Sequence, residues 1–325
     1  MMNREGVITL LGEDWERMRA FMKDALRSDV PLLSGLNDSI LSHSGKMLRP
    51  MITLLMARAC NGGAASDDSV RIAAATELLH NATLMHDDVA DESSQRRGAP
   101  TVVSLLGPTA AVLTGDFWLA RAVDLVIGCR CRDAVIRLFS KTLVDLAEGE
   151  MLQLQKAEKG DTSEEDYLRI IYCKTASLFE SAAVSAAEAV GASEDAKAAA
   201  GRYGRAMGIA FQIKDDILDY VGDGLLGKPL GVDIKEQKIT LPLLGAMKDS
   251  GMEEQIRGKV CDIHSHPEYC DEIASFVIEH GGVQYAVERL GQYVAEAEEA
   301  LKALPAGPEK DALVGIARYN AMRKV

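Results

Sequence analysis

The chain has 325 residues, 26% charged and 47% hydrophobic, which is enough to bury a large core and excludes a disordered segment. A net charge of −13 and a pI near 5.0 leave no basic footprint for nucleic acid, so any anionic substrate must be held by local cations. Six cysteines without framework spacing fit a reducing, cytoplasmic setting. The run Val7 to Leu11 is too short for a signal peptide, and Gly98 to Gly115 is too rich in Gly, Pro and hydroxyl residues for a membrane span.

Ala, Leu, Glu and Met recur at helical spacing while period-two runs are scarce, which predicts an all-α protein of roughly ten or more helices in a single domain over residues 1–325. Asp14 to Ser28 reads as a first helix and Pro31 to His43 as a second. A loop from Ser44 carries Lys46 and Arg49, and Pro50 opens the helix that runs to Cys60. Ser66, Asp67 and Asp68 offer N-caps for a helix from Ser69 to Asp91. A polar loop, Glu92 to Thr101, holds Arg96 and Arg97, and Gly107-Pro108 starts the next helix. Arg132 to about Glu158 follows. Thr162 and Ser163 then cap a helix that contains Lys174-Thr175 and reaches Val190. The long helix Glu194 to Tyr220 leads into Leu225 to Lys238, a glycine-hinged candidate lid. From Leu241 on, roughly four or five further amphipathic helices are expected.

Two of these helices end in matching acidic clusters, Asp87, Asp88 and Asp91 on one and Asp215, Asp216 and Asp219 on the other. Carboxylates one turn apart repel, at the end of apolar runs that favour burial. A hard divalent cation removes that penalty, and oxygen-only donors point to Mg²⁺ or Mn²⁺, ions that keep waters and complete their shells with substrate phosphate. Two such clusters suggest a cradle for a diphosphate. Lys46, Arg49, Arg96, Arg97, Lys174, Lys214, Lys228 and Lys238, mostly in or beside Gly- and Pro-rich loops, are the candidate phosphate partners.

These residues resemble the trans-type isoprenyl diphosphate synthase family, in its polyprenyl branch, from about Leu41 to Leu244. The similarity lies in Asp87-Asp88-Val89-Ala90-Asp91 and Asp215-Asp216-Ile217-Leu218-Asp219, in Gly45 to Pro50, Arg96 to Thr101, Lys174-Thr175 and Phe211-Gln212. It continues in Gly227-Lys228-Pro229, Asp233 and Lys238 to Pro242. The resemblance implies the isoprenoid synthase fold, an all-α bundle around a deep central cavity, usually a homodimer. It implies condensation of isopentenyl diphosphate with an allylic diphosphate such as farnesyl diphosphate, by ionisation, addition and proton loss, releasing pyrophosphate. Three Mg²⁺ ions, with Mn²⁺ as a substitute, would be held chiefly by Asp87, Asp91 and Asp215, with Asp88, Asp216 and Asp219 in support. Arg96, Lys174, Gln212 and Lys228 would contact the allylic diphosphate, and Lys46, Arg49, His80 and Arg97 that of isopentenyl diphosphate. Lys238 joins the substrate-binding set, and Lys174, Thr175, Gln212 and Lys228 the catalytic one. Met47 and Gln237 depart from the family pattern, standing where Arg and Gly are common.

On the helix ending at Asp91, Thr83, Ala82, Leu79, Thr76, Ala75 and Ile72 share a stripe leading away from Asp87. Its upper part is small where short-chain members carry aromatic rings. From Asp87 to Ser69 the helix spans roughly 27 Å at about 1.5 Å per residue, room for on the order of five or six isoprene units, with Leu79 as a partial floor. This favours a long-chain product, for a quinone side chain, over farnesyl or geranylgeranyl diphosphate. A terpene cyclase would not need Lys46, Arg49 and Arg97, and a non-catalytic partner subunit would be expected to lose motif residues. His86 turns toward the apolar side by helical phase and is not assigned to metal, and Cys261, His264, His266 and Cys270 lack a zinc spacing.

Overall fold

A computed structural model describes residues 4–43, 45–96, 98–222 and 231–322. Arg97 and the stretch 223–230, which includes Lys228 and the first part of the candidate lid, lie outside the described residues. The rest is helical, as the periodicity predicts: α1 (Arg4–Leu11), α2 (Glu13–Ala25), α3 (Pro31–Ser42), α4 (Leu48–Cys60) and α5 (Asp67–Ala90). A two-residue hairpin follows, β1 (Gln95–Arg96) antiparallel to β2 (Ala99–Pro100). Then come α6 (Val102–Leu106), α7 (Pro108–Ile127), α8 (Arg132–Lys159), α9 (Glu164–Ile171), a π-helical turn Tyr172–Ala176, α10 (Ser177–Ala189) and α11 (Glu194–Val221). The chain closes with α12 (Val232–Lys235), α13 (Leu241–Met247), α14 (Glu253–Cys261), α15 (Tyr269–Glu279), α16 (Gly282–Ala300) and α17 (Pro308–Met322). No helix among the described residues is long and apolar enough to cross a membrane.

Several elements were not anticipated, among them α6, ahead of Gly107, and α12, within the candidate lid. The run Val7 to Leu11 belongs to a helix, α1, whose last carbonyls accept from Arg58 Nη1 at 2.9 and 3.2 Å. The hairpin is too short to leave a period-two signal. Between Ser163 and Val190 the chain forms two helices and a π turn rather than one continuous helix.

The chain divides into two compact units, the first comprising Met1–Phe139, Ser181–Gly201 and Ala303–Leu313, the second Ser140–Glu180, Arg202–Lys302 and Val314–Val325. In the first unit α5 is the central element. Ser66 caps it through a reciprocal bond with Ser69, and from Asp68 to Leu79 every residue but Arg71 is buried. A helix buried around its whole circumference belongs inside a core, which is why α5 shows no separate polar face to read. Trp118 of α7 packs there too, its Nε1 donating to Asn37 Oδ1 at 2.7 Å, while Asn37 Nδ2 donates to the Leu26 carbonyl at 2.8 Å. Both polar groups of a buried pair are thereby satisfied.

The second unit has its own apolar core, in which Tyr220 and Ile234 pack with Leu243, Ile256, Ile273 and Phe276. Its α9 opens on a capping box, Ser163 with Asp166. The π turn is pinched from two sides by glycines. A Cβ on Gly149 of α8 would sit 2.6 Å from Cys173 Cβ, and one on Gly208 of α11 would sit 2.4 Å from Ala176 Cα. One turn earlier, Gly204 would meet the Phe179 carbonyl oxygen at 2.5 Å. A helix-interior glycine costs about 1 kcal/mol relative to alanine; here the cost is offset by close backbone contact with the turn that carries Lys174 and Thr175.

Candidate functional site

In the first unit the acidic motif sits at the C-terminal end of α5. The chain leaves that helix through Asp91 N donating to the Asp87 carbonyl at 2.8 Å and Ser93 N to the Asp88 carbonyl at 3.0 Å. The hairpin then folds back so that Arg96 Nε donates to Asp88 Oδ1 at 2.7 Å. Asp88 is buried, and burial raises its carboxyl above the ordinary value; Arg96 pulls it down and the charge of Asp91 pushes it up. Asp91 is exposed and Asp87 half-buried. Thr101 holds the far end of the hairpin, donating to the Ser93 carbonyl at 2.6 Å while its oxygen caps α6.

Behind this motif, Arg49 Nη1 lies 3.1 Å from His80 Nε2. A guanidinium only donates, so Nε2 accepts and the ring carries its proton on Nδ1. The structure therefore pairs two of the predicted phosphate contacts with each other. Lys46 lies in the loop before α4, its carbonyl accepting from Arg4 Nε at 3.4 Å. Met47 is buried in a left-handed conformation, φ 52°, at the N-cap of α4. Its side chain thus belongs to the core, and no cation stands there.

His86 faces α7. Its Nε2 is 3.4 Å from both the Val112 carbonyl and Asp116 Oδ1, and a Cβ on Gly115 would fall 2.4 Å from that nitrogen. The same missing Cβ accommodates the Ala82 carbonyl, at 3.2 Å. Ala82 and Leu79 are fully buried, whereas Thr83 is only partly so, its hydroxyl donating to the His80 carbonyl at 2.9 Å. Helical phase placed these three on one stripe; burial separates Thr83 from the other two.

In the second unit the motif lies on α11. Asp216 is buried and accepts at both oxygens, from Tyr167 Oη at 2.6 Å and from Gln212 Nε2 at 2.8 Å. Gln212 Oε1 in turn accepts from Thr175 Oγ1 at 2.7 Å. Burial holds the Asp216 carboxyl far above the usual carboxylate range; the two donors oppose this, and the charges of Asp215 and Asp219 add to it. Asp219 has both oxygens on the backbone of α12, accepting from Val232 N at 3.1 Å and Asp233 N at 3.0 Å. It too is raised, first by burial, with those amides opposing. Asp233 is raised as well, again chiefly by burial.

Lys174 projects from the π turn to Glu150 Oε2 at 2.5 Å and Gln153 Oε1 at 3.0 Å, both on α8. Lys238 pairs with Glu236. Gln237 adopts φ 56°, the backbone a glycine would take there without strain, and its Nε2 caps α14 at the carbonyls of Val260, 3.2 Å, and Cys261, 2.8 Å. The departure from glycine thus exchanges backbone freedom for two hydrogen bonds.

Protein donors meet several of the motif aspartates. Asp88, Asp216 and Asp219 are engaged by protein donors, and each is a carboxylate whose ionised form is penalised by burial. Oxygen-only donors and carboxylates short of positive charge are the chemistry a hard divalent cation fits. Among the described residues no three His, Cys, Asp or Glu side chains form a metal cage by themselves. Mg²⁺ needs none, because it takes one or two carboxylates and completes its shell with water and phosphate. Sequence reasoning missed Tyr167, Glu150 and the glycines at 149, 204 and 208. Only the helix-interior glycines left a readable sign.

The family model for polyprenyl synthetase matches residues 30–276. The chain belongs to the polyprenyl synthetase family. It is similar to the octaprenyl diphosphate synthase of Escherichia coli (strain K12), 38% identical over 324 residues that cover 99% of each chain. Among solved structures it is similar to a decaprenyl diphosphate synthase from Rhodobacter capsulatus, with a TM-score of 0.91 and 34% identity over 99% of this chain and 100% of that one. A polyprenyl synthase from Caulobacter crescentus CB15, solved with calcium and isoprenyl diphosphate, gives a TM-score of 0.90 at 33% identity, covering 99% and 98%. Family membership agrees with the resemblance read from the motifs, and the shared all-α fold agrees with the predicted fold class.

Proposed function

We propose that this family member is a long-chain trans-prenyltransferase that adds isopentenyl diphosphate repeatedly to an allylic diphosphate and releases pyrophosphate at each addition. The observation that carries the reading is the pair of acidic motifs whose buried members are held in place, Asp88 by Arg96 and Asp216 by Tyr167 and Gln212. The family resemblance adds Asp87, Asp91 and Asp215 as the chief contacts of divalent cations. Bound Mg²⁺, three ions by analogy with the family or Mn²⁺ in its place, supplies the charge that makes diphosphate a leaving group. The calcium in the Caulobacter crescentus relative supports a hard-cation site of this kind.

The protein's own residues do the rest. Lys174 exchanges Glu150 for the allylic diphosphate, and Arg96, already aligned by Asp88, contacts the same group. Arg49 and His80 act as a unit on the diphosphate of isopentenyl diphosphate, with Lys46, three residues before Arg49, and Arg97 as further contacts. Gln212 and Thr175 present neutral dipoles to the allylic cation; neither is a strong nucleophile, so the cation survives to be attacked by the second double bond. Lys228 and Lys238 complete the diphosphate contacts. A growing tail passes position 83, where the side chain is a threonine and not an aromatic ring, toward a long product. Long-chain relatives among the octaprenyl and decaprenyl synthases support that length.

A homodimer in the cytoplasm is part of the same proposal. Along α7, Thr109, Leu113, Asp116, Ala120, Val123 and Ile127 are exposed at alternating spacings of four and three residues, the seam along which a second helix packs. A second copy of the chain offers the same seam, as a two-fold interface requires. Leu113→Glu should convert the dimer to a monomer in sedimentation, and a wild type that sediments as a monomer would remove this part of the proposal.

The test of the reaction is pyrophosphate release from purified protein. Release should require both substrates and Mg²⁺, stop on chelation, and be lost in Asp87→Ala. Release from the allylic substrate alone would indicate a cyclase instead.

A further inference from the structure

Asp216 is held by a residue whose position in the sequence gives no hint of it. Tyr167, on α9, is buried, and its phenol oxygen donates to Asp216 Oδ2 at 2.6 Å. The opposite oxygen, Oδ1, accepts from Gln212 Nε2 at 2.8 Å, and Gln212 Oε1 accepts from Thr175 Oγ1 at 2.7 Å. The direction of this chain is fixed by chemistry. In its ionised state the carboxylate only accepts, and Gln212 then turns its NH₂ to Asp216 and its oxygen to Thr175; the flipped amide would set two acceptors against each other.

A carboxylate gripped at one oxygen can still swing about its broad terminal torsion and carry its partner with it. A second donor on the other oxygen removes that freedom. Tyr167 supplies that donor from a different helix. The four residues come from three elements, α9, the π turn and α11, and the glycines at 149 and 208 hold the turn against its neighbours.

We propose that Tyr167 is a positioning residue for prenyl transfer: by pinning Asp216 it sets the orientation of the Gln212 amide and the Thr175 hydroxyl toward the allylic substrate. This rests on the prenyltransferase reading given above. Tyr167 is assigned no contact with substrate or cation; it acts through Asp216. The competing account is that the phenol only joins α9 to α11 and contributes to folding.

Tyr167→Phe keeps the ring and removes the donor, and steady-state kinetics with farnesyl and isopentenyl diphosphates then separate the accounts. Positioning predicts a fall in kcat on the order of 10–100-fold, the usual cost of losing a partner of a site residue, with the KM for isopentenyl diphosphate unchanged. It also predicts weaker calorimetric binding of a non-ionising farnesyl thiolodiphosphate in Mg²⁺, a readout independent of turnover. In a double-mutant cycle with Gln212→Leu, the second substitution should add little once the first is present. A purely structural role predicts a lower melting temperature with kcat and analogue binding preserved, or fully additive losses, and either result overturns the proposal. An inactive wild type overturns the prenyltransferase reading itself, and the proposal with it. Should Tyr167→Phe lose its helical circular dichroism, 4-aminophenylalanine at 167 replaces it in the test. That residue keeps the ring and a donor; near wild-type kcat is expected, and a folded but inactive chain overturns the proposal.

Discussion

The two acidic motifs have the same spacing and are supported in opposite ways. In the first, at the end of α5, the buried Asp88 is met by a cation, Arg96, delivered by a two-residue hairpin. In the second, on α11, the buried Asp216 is met by neutral donors, Tyr167 and Gln212, and Asp219 by backbone amides of α12. A charged partner neutralises a carboxylate and can be drawn to a phosphate; a neutral partner orients it and leaves its charge in place. On the proposed reading the first motif is coupled to the diphosphate contacts by charge, and the second to the dipoles of Gln212 and Thr175 by geometry.

The largest expected effect falls on what the motifs share. Asp87→Ala and Asp215→Ala should each reduce kcat/KM on the order of 10³-fold or more, since on the proposed reading each removes a direct cation ligand and several kcal/mol of leaving-group stabilisation. If Asp87→Ala retained near wild-type turnover, the division between ligands and supports would be wrong. A smaller loss is expected at the charged support. Arg96→Ala leaves Asp88 buried beside Asp91 and should cost roughly 10–100-fold in Mg²⁺-dependent diphosphate affinity, read by titration calorimetry. An unchanged affinity would mean that the Arg96 to Asp88 bond is a structural link alone.

The helix that carries the first motif also separates two positions that the sequence placed together. Thr83→Phe, at a half-buried site, should shorten the product while the chain stays folded. Ala82→Phe would press a ring toward α7 near Gly115 and should cost about 1–3 kcal/mol of stability instead. Equal product lengths from wild type and Thr83→Phe would break this distinction. The smallest effect is at Gln237, beyond the second motif. Gln237→Ala keeps the left-handed backbone, loses two caps on α14, and should destabilise the fold by about 1–2 kcal/mol in denaturant melts with little change in kcat.

Much of the fold was legible because helices announce their ends: Ser66 and Ser163 cap where expected, and the apolar period carries through α11. The hairpin was not, since two-residue strands leave no alternation, nor was the π turn, whose cause is the close approach of Gly149 and Gly208 from other helices. The site was legible where charge had to be explained. Six aspartates in two clusters demand cations wherever they stand, whereas Tyr167 on an amphipathic helix reads as core until its oxygen is seen 2.6 Å from Asp216. The pairing of Arg49 with His80 was equally hidden, because their contact depends on how α4 packs on α5.

The most direct measurement is the chain length of the product. Purified protein with Mg²⁺, farnesyl diphosphate and labelled isopentenyl diphosphate should yield, after dephosphorylation, a ladder of polyprenols ending well beyond geranylgeraniol. A product that stops at geranylgeraniol would keep the chemistry and contradict the long-chain reading, placing a floor near Thr83 where none is expected.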